Sequence, residues 1–109
     1  MKHKMKLLEE PFNEILNDKK TIEFRLNDEK RKNVKIGDII EFSKLPTLEE
    51  KIEVEVMDLY NYPTFKELFS FLGYKDKELE EAVNGMYEIY SPENEKKYGA
   101  LGIKIKKIN

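Results

Sequence analysis

Asp18-Lys19-Lys20-Thr21-Ile22-Glu23-Phe24-Arg25 is the stretch on which the reading of this 109-residue chain turns. As a strand it places Ile22, Phe24 and Leu26 on one face and Thr21, Glu23 and Arg25 on the other, because side chains alternate along extended backbone. The apolar face belongs on a core. The other face then displays a carboxylate and a guanidinium two residues apart, with Lys20 where the strand begins. A cluster of mixed sign serves either as a solvated ion-pair row or as a polar ligand site, and spacing alone does not separate the two.

Upstream, Lys4 to Leu8 reads as a short first strand and leaves His3 in a fraying terminus. Pro11 suits a first helical turn, and Phe12, Ile15 and Leu16 then give one apolar face that ends near Asn17-Asp18. Downstream, Asn27 to Asn33 is a polar loop, Gly37-Asp38 a turn and Ile39 to Phe42 a strand, with Pro46-Thr47 the next break. Ile52, Val54 and Val56 alternate with Glu53 and Glu55, after which Met57 and Leu59 take over the apolar phase. Such a slip predicts a β-bulge, a device barrels use to bend.

Thr64-Phe65-Lys66-Glu67 reads as a capping box, with Phe65, Leu68, Phe69 and Leu72 as the buried stripe and Gly73 as the stop. A further helix opens at Asp76 as N-cap and carries Leu79, Ala82, Val83, Met86 and Tyr90 on one face, with Gly85 inside it. Ser91 to Lys97 reads as a polar connector, and Leu101, Ile103 and Ile105 alternate in a final strand. Strands of non-local pairing interrupted by a helical pair predict an α+β fold: a small mixed β-barrel with flanking helices.

The length predicts one domain over residues 1–109. Charged residues make up 39%, yet six Phe and six Tyr remain for a core, which indicates a folded, highly soluble chain. No apolar run approaches a membrane span, and Met5 to Leu8 is too short for the apolar part of a signal peptide, so a cytoplasmic location is expected. The absence of cysteine excludes disulfides and thiolate chemistry, and a single histidine argues against a triad or a multi-histidine metal centre. No metal and no cofactor are expected. The net charge of −2 argues against tight non-specific binding to nucleic acid. Basic residues nonetheless gather locally at Lys19, Lys20, Arg25, Lys30, Arg31, Lys32 and Lys35, while acids gather around Glu78, Glu80, Glu81, Glu88, Glu93 and Glu95.

Lys20-x-x-Glu23-x-Arg25 at the start of a strand, after a short helix, resembles the G-x-K-x-x-E-x-R signature of the ASCH family, a branch of the PUA-like β-barrels. Val34 to Phe42 is similar to that family's Gly-Asp turn and strand, and Tyr98 to Ile103 to its closing strand. Asp18 stands where the signature has glycine, at a helix end that calls for φ > 0, which Asp tolerates better than most residues. The resemblance implies RNA binding, or for one bacterial branch an amidohydrolase that deacetylates acetylcytidine. In that branch the lysine acts with a threonine three residues later and a distant glutamate. Here Glu23 fills the threonine's position, and Leu72 falls where the glutamate would stand. Some members of the family are described as ribonucleases acting on single-stranded RNA.

The ligand candidates are therefore Lys20, Glu23, Arg25 and Tyr98, with RNA or a nucleotide-like molecule as the partner. Arg25 would fork onto a phosphate or base edge, Lys20 would supply a point charge, and Glu23 would accept from an exocyclic amine. Tyr60, Tyr62, Tyr87, Tyr90 and Tyr98 fall near element ends, where a half-exposed ring can stack a base; packed in a core, the same rings need only keep their hydroxyls wet. Tyr98 is singled out because Gly99 beside it admits a close neighbour or ligand. Two other classes use the same residues: a small hydrolase or ribonuclease in the same cleft, and a protein-interaction module whose Glu23 and Arg25 are structural.

Overall fold

Period-two burial is what builds the sheet. In the computed structural model, which describes residues 1–108, β1 (Lys2–Leu7) turns His3, Met5 and Leu7 inward and Lys2, Lys4 and Lys6 outward. There follow α1 (Glu9–Leu16), β2 (Ile22–Leu26), a 3-10 turn (Arg31–Asn33), β3 (Ile39–Lys44) and β4 (Lys51–Tyr62). Three helices, α2 (Phe65–Phe71), α3 (Asp76–Tyr87) and α4 (Pro92–Tyr98), precede β5 (Ala100–Lys107). The strands form one mixed sheet in the order β1-β3-β4-β5-β2. β1 pairs with β3 in parallel, and β3 with β4 antiparallel. A parallel pair cannot be joined by a hairpin, so α1 and β2 form the crossover between β1 and β3. The fold class is the expected one: α+β, with the mixed sheet and flanking helices of a PUA-like domain.

Contacts gather the chain into two compact units. The first comprises Met1–Glu23, Val34–Leu59 and the chain from Ile103 onward. Its buried apolar residues include Met5, Phe12, Ile15, Ile40, Phe42, Val54, Val56 and Ile103, and α1 packs against β3. Burying a side chain of that size contributes about 1.5–3 kcal/mol. Directly opposed Glu41 and Glu53 would repel across β3 and β4. The Lys2 ammonium lies 3.1 Å from one and 2.7 Å from the other. These hydrogen bonds raise the Lys2 pKa, and Lys2 in turn lowers that of Glu41.

Two expectations fail in this unit. The phase slip in β4 does not develop: Met57 is exposed, and the half-buried Asp58 continues the inward phase of Ile52, Val54 and Val56. His3 is not frayed but buried in β1, with Nε2 2.8 Å from Asp38 Oδ2. Asp38 also accepts from the Lys35 amide at 3.0 Å and lies 3.3 Å from the N-terminal ammonium. One carboxylate thus ties the first strand to the Gly37 turn.

The second unit comprises Phe24–Asn33 and Tyr60–Gly102. Leu26, Phe65, Leu68, Phe69 and Ala100 form its core, with Leu79, Ala82, Val83, Met86 and Tyr90 packed against it as the helical spacing predicts. The Thr64 hydroxyl caps α2 by accepting from the Glu67 amide at 3.1 Å. α3 starts at Asp76 with Lys75 as N-cap, so Asp76 is not the cap that was expected, and Gly85 does not interrupt the helix. The predicted connector after Ser91 is instead α4, capped by the Ser91 hydroxyl and opened by Pro92. Its glutamates lead and its lysines trail, the order the helix dipole favours.

Two backbone positions beside the candidate residues are left-handed, Asp18 at φ 59° and Gly99 at φ 83°. A Cβ on Gly99 would meet the Tyr62 carbonyl oxygen at 3.1 Å. Gly99→Ala is therefore expected to destabilise by about 1–3 kcal/mol. Asp18→Gly, which relieves strain at some entropic cost, should stabilise by about 0.5 kcal/mol. Urea unfolding of both variants checks the opposite signs.

Asp38 yields a pH prediction. The hydrogen bond from His3, then that from the Lys35 amide, lower its pKa from 3.8 to about 2. A depressed native pKa contributes stability that is fully present above 3.8 and is lost as pH falls through about 2. Asp38→Asn should flatten the acid limb of the urea midpoint against pH in that window. An unchanged limb would show that Asp38 does not carry it.

Candidate functional site

The site begins with how α1 stops. The Lys19 amide donates to the Glu14 carbonyl at 2.8 Å and the Asp18 amide to that of Ile15 at 3.1 Å, the paired bonds of a Schellman turn. Asp18 is its left-handed residue, as the helix end required, and the Lys20 amide also donates to the Glu14 carbonyl, at 3.1 Å. The chain thus turns from helix to strand within three residues and delivers Lys20 to the start of β2 in a fixed place. The Thr21 carbonyl accepts from the Ile105 amide at 2.8 Å, which holds the start of β2 beside β5.

Lys20 and Glu23 are brought together. The Lys20 Nζ lies 3.2 Å from Glu23 Oε1, with the lysine side chain 23% exposed and the glutamate 5%. The sequence places Glu23 on the polar face of β2, but that face is covered at this point, and Glu23 is as buried as Leu26. A carboxylate taken out of water must be paired and hydrogen-bonded or it is costly, and here a partly exposed ammonium neutralises it. Arg25, two residues along the strand, is half-buried. Phe24 and Leu26 of the opposite face belong to the second unit's core, and Phe24 packs on Phe69 with ring centroids 4.7 Å apart.

Tyr98 is the last residue of α4. Its ring is half-buried against the core of the second unit, and the Lys97 ammonium stands 5.1 Å from the ring centroid, within cation–π range. Gly99 does admit a close neighbour, the Tyr62 backbone. Tyr60, Tyr62 and Tyr90 are half-buried against the same core, whereas Tyr87 is more exposed.

Glu95 is the residue that sequence reasoning misplaced. The sequence places it in a polar connector among gathered acids, yet it is 5% exposed and accepts from the Phe65 amide at 2.8 Å and the Tyr87 hydroxyl at 2.6 Å. Its hydrogen bond raises the Tyr87 pKa. Ser91-Pro92 with acids first and lysines last would have disclosed the helix that carries Glu95, but nothing local discloses its burial. The basic loop after β2 is also less basic than its composition: Arg31 pairs with Asp28 at 3.2 Å and Lys32 with Glu29 at 3.3 Å. Among the described residues no group of acidic or histidine side chains is arranged to hold a metal ion, and no helix is long and apolar enough to cross a membrane.

The ASCH domain profile matches residues 5–109. Among solved structures, the chain is similar to the crystal structure of the hypothetical protein PH0355, at 39% identity and a TM-score of 0.86, over 99% of this chain and 100% of that one. It is also similar to the solution structure of PF0455 from Pyrococcus furiosus, at 34% identity and a TM-score of 0.74, over 100% and 99% of the two chains. A mutant of ZmASCH from Zymomonas mobilis shares the fold, with a TM-score of 0.61 at 15% identity, over 99% of this chain and 73% of that one. No curated protein matches the sequence significantly. With the profile matching residues 5–109, almost from end to end, the protein belongs to the ASCH domain family.

Proposed function

We propose that the protein binds RNA or a nucleotide-like ligand through Lys20, Glu23 and Arg25, with Tyr98 as an aromatic contact. The observation that carries this reading is the Lys20–Glu23 pair, a buried carboxylate that holds a partly exposed ammonium 3.2 Å away. A buried ion pair costs desolvation and adds little stability of its own, which supports a ligand-binding role for this one. Lys20 supplies a point charge to a phosphate, Arg25 a planar fork, and Glu23 fixes the lysine and accepts from an amine of the base. Binding of this kind rests on hydrogen bonding and shape, which agrees with a net charge of −2.

Chemical-shift perturbation against nucleosides, nucleotides and short single-stranded RNAs tests the reading. The amides of Lys20, Glu23 and Arg25 should shift, and Lys20→Met should weaken binding by about tenfold or more. Contact with about three phosphates predicts a log–log salt slope near about −2. A slope near zero would redirect the reading to a neutral small ligand.

Catalysis by the acetylcytidine route lacks its parts. An amide hydrolase needs a nucleophile or activated water beside a poised base. Glu23 replaces the threonine and is engaged by Lys20, while the distant position holds Leu72, half-buried in an apolar cluster. Negligible deacetylation of acetylcytidine is expected from the unmodified chain and from Glu23→Thr alone. Turnover abolished by Lys20→Ala would make the domain an enzyme.

A further inference from the structure

The face of β2 that carries Arg25 continues across the second unit onto aromatic rings. The Asn27 amide donates to the Gly99 carbonyl at 3.0 Å, which in antiparallel pairing sets Arg25 opposite Leu101. On the other side of β5 the Ile108 amide donates to the Glu53 carbonyl at 3.0 Å, and Gly99 lies against the Tyr62 carbonyl. Both contacts give one antiparallel register, which sets Leu101 opposite Tyr60. Opposed residues of neighbouring strands share a face, so Arg25, Leu101 and Tyr60 stand in a row, and Tyr62 follows Tyr60 on that face. Two strand spacings, about 10 Å, separate the backbones of Arg25 and Tyr60. Phe71 closes the row. It is the last residue of α2, off the stripe of Phe65, Leu68 and Phe69 that enters the core, and it is 57% exposed. Its ring stands 5.6 Å from that of Tyr60 and 5.2 Å from that of Tyr62, tilted by 49° and 34°. Both tyrosines are half-buried, so these rings brace a phenylalanine that stays open to water.

We infer that Tyr60, Tyr62 and Phe71 form a stacking platform for an unpaired base, so that the ligand is a single-stranded segment of at least two nucleotides rather than a mononucleotide. The inference rests on the proposed function for the nucleotide at Lys20, Glu23 and Arg25, and it names the class of ligand that this site takes. An exposed phenylalanine forgoes burial, and a cluster of rings left at a surface marks a contact. Three features make the partner a base. The platform consists of rings alone, and every base has a π face to lay on a ring. It shares a face with Arg25, whose guanidinium takes a phosphate or a base edge, across a distance that one nucleotide step covers. A chain of net charge −2 draws little affinity from phosphates, and stacking is the contribution left to supply it.

The full chain, labelled for NMR on its amides and aromatic rings, is titrated with adenosine 5′-monophosphate, then with the adenosine dinucleotide and a short single-stranded RNA. The second base should shift the ring signals of Phe71 and Tyr62 and tighten binding about tenfold over the mononucleotide. Phe71→Ala, at an exposed position where the amide spectrum reports an intact fold, should abolish that gain and leave the affinity for the monophosphate unchanged. Phe71→Leu, apolar but without a π face, should lose most of the gain, whereas Phe71→Trp should keep it. A duplex of the same sequence, its bases already stacked and paired, should leave the rings unshifted. Ring shifts by the dinucleotide without amide shifts at Lys20, Glu23 and Arg25 would retain the platform and remove the proposed function. Monophosphate binding at those amides with no gain from a second base, rings that no ligand shifts, or a gain that Phe71→Leu keeps in full would overturn the platform. So would a dimer in sedimentation that Phe71→Ala dissociates, which would give the rings to a second copy of the chain.

Discussion

The turn at Asp18 is the constraint from which the candidate site follows. β1 and β3 are parallel neighbours, so the chain between them must leave the sheet, return, and lay β2 on the far edge beside β5. The Schellman turn achieves the return in three residues by placing one non-glycine residue in the left-handed region. Such a conformation costs an L-residue on the order of 1–2 kcal/mol, and Asp is among the side chains that tolerate it best. Because the turn is closed by three backbone hydrogen bonds to α1 carbonyls, the position of Lys20 is set by main chain rather than by its own flexible stem.

Two buried glutamates show how burial can serve different ends. Glu95 is satisfied by neighbours of its own unit, the α2 N-terminal amide of Phe65 and the Tyr87 hydroxyl, and so links three helical segments. Its donors are neutral and close around it, which marks an architectural carboxylate. Glu23 is set against a cation whose side chain still reaches solvent.

Electrostatics elsewhere in the molecule mostly removes charge from play. Lys2 relieves the opposed Glu41 and Glu53, and Asp28 and Glu29 occupy Arg31 and Lys32 in the loop that looked most basic. The lysines around the head of β2 are placed by different contacts: Lys20 by Glu23, and Lys107 by a helix-end carbonyl that no composition count reveals.

Local chemistry was sufficient for much of this protein. Period-two alternation marks β1, the first half of β4 and the end of β5, because one face of each meets a core. Helical spacing and the Thr64 cap identify α2 and the packed face of α3, and the spacing of Lys20, Glu23 and Arg25 carries the resemblance to the family whose profile matches residues 5–109. What failed was whatever depends on a distant neighbour. His3 is buried because Asp38, 35 residues away, accepts its hydrogen bond. Met57 is exposed because β4 continues the inward phase of Ile52, Val54 and Val56 rather than following its own apolar pattern. The burial of Glu23 and Glu95 is not legible locally, because a sequence shows a residue's charge but not what covers it. Burial and ion pairing are properties of residues remote along the chain, and only tertiary structure brings those together.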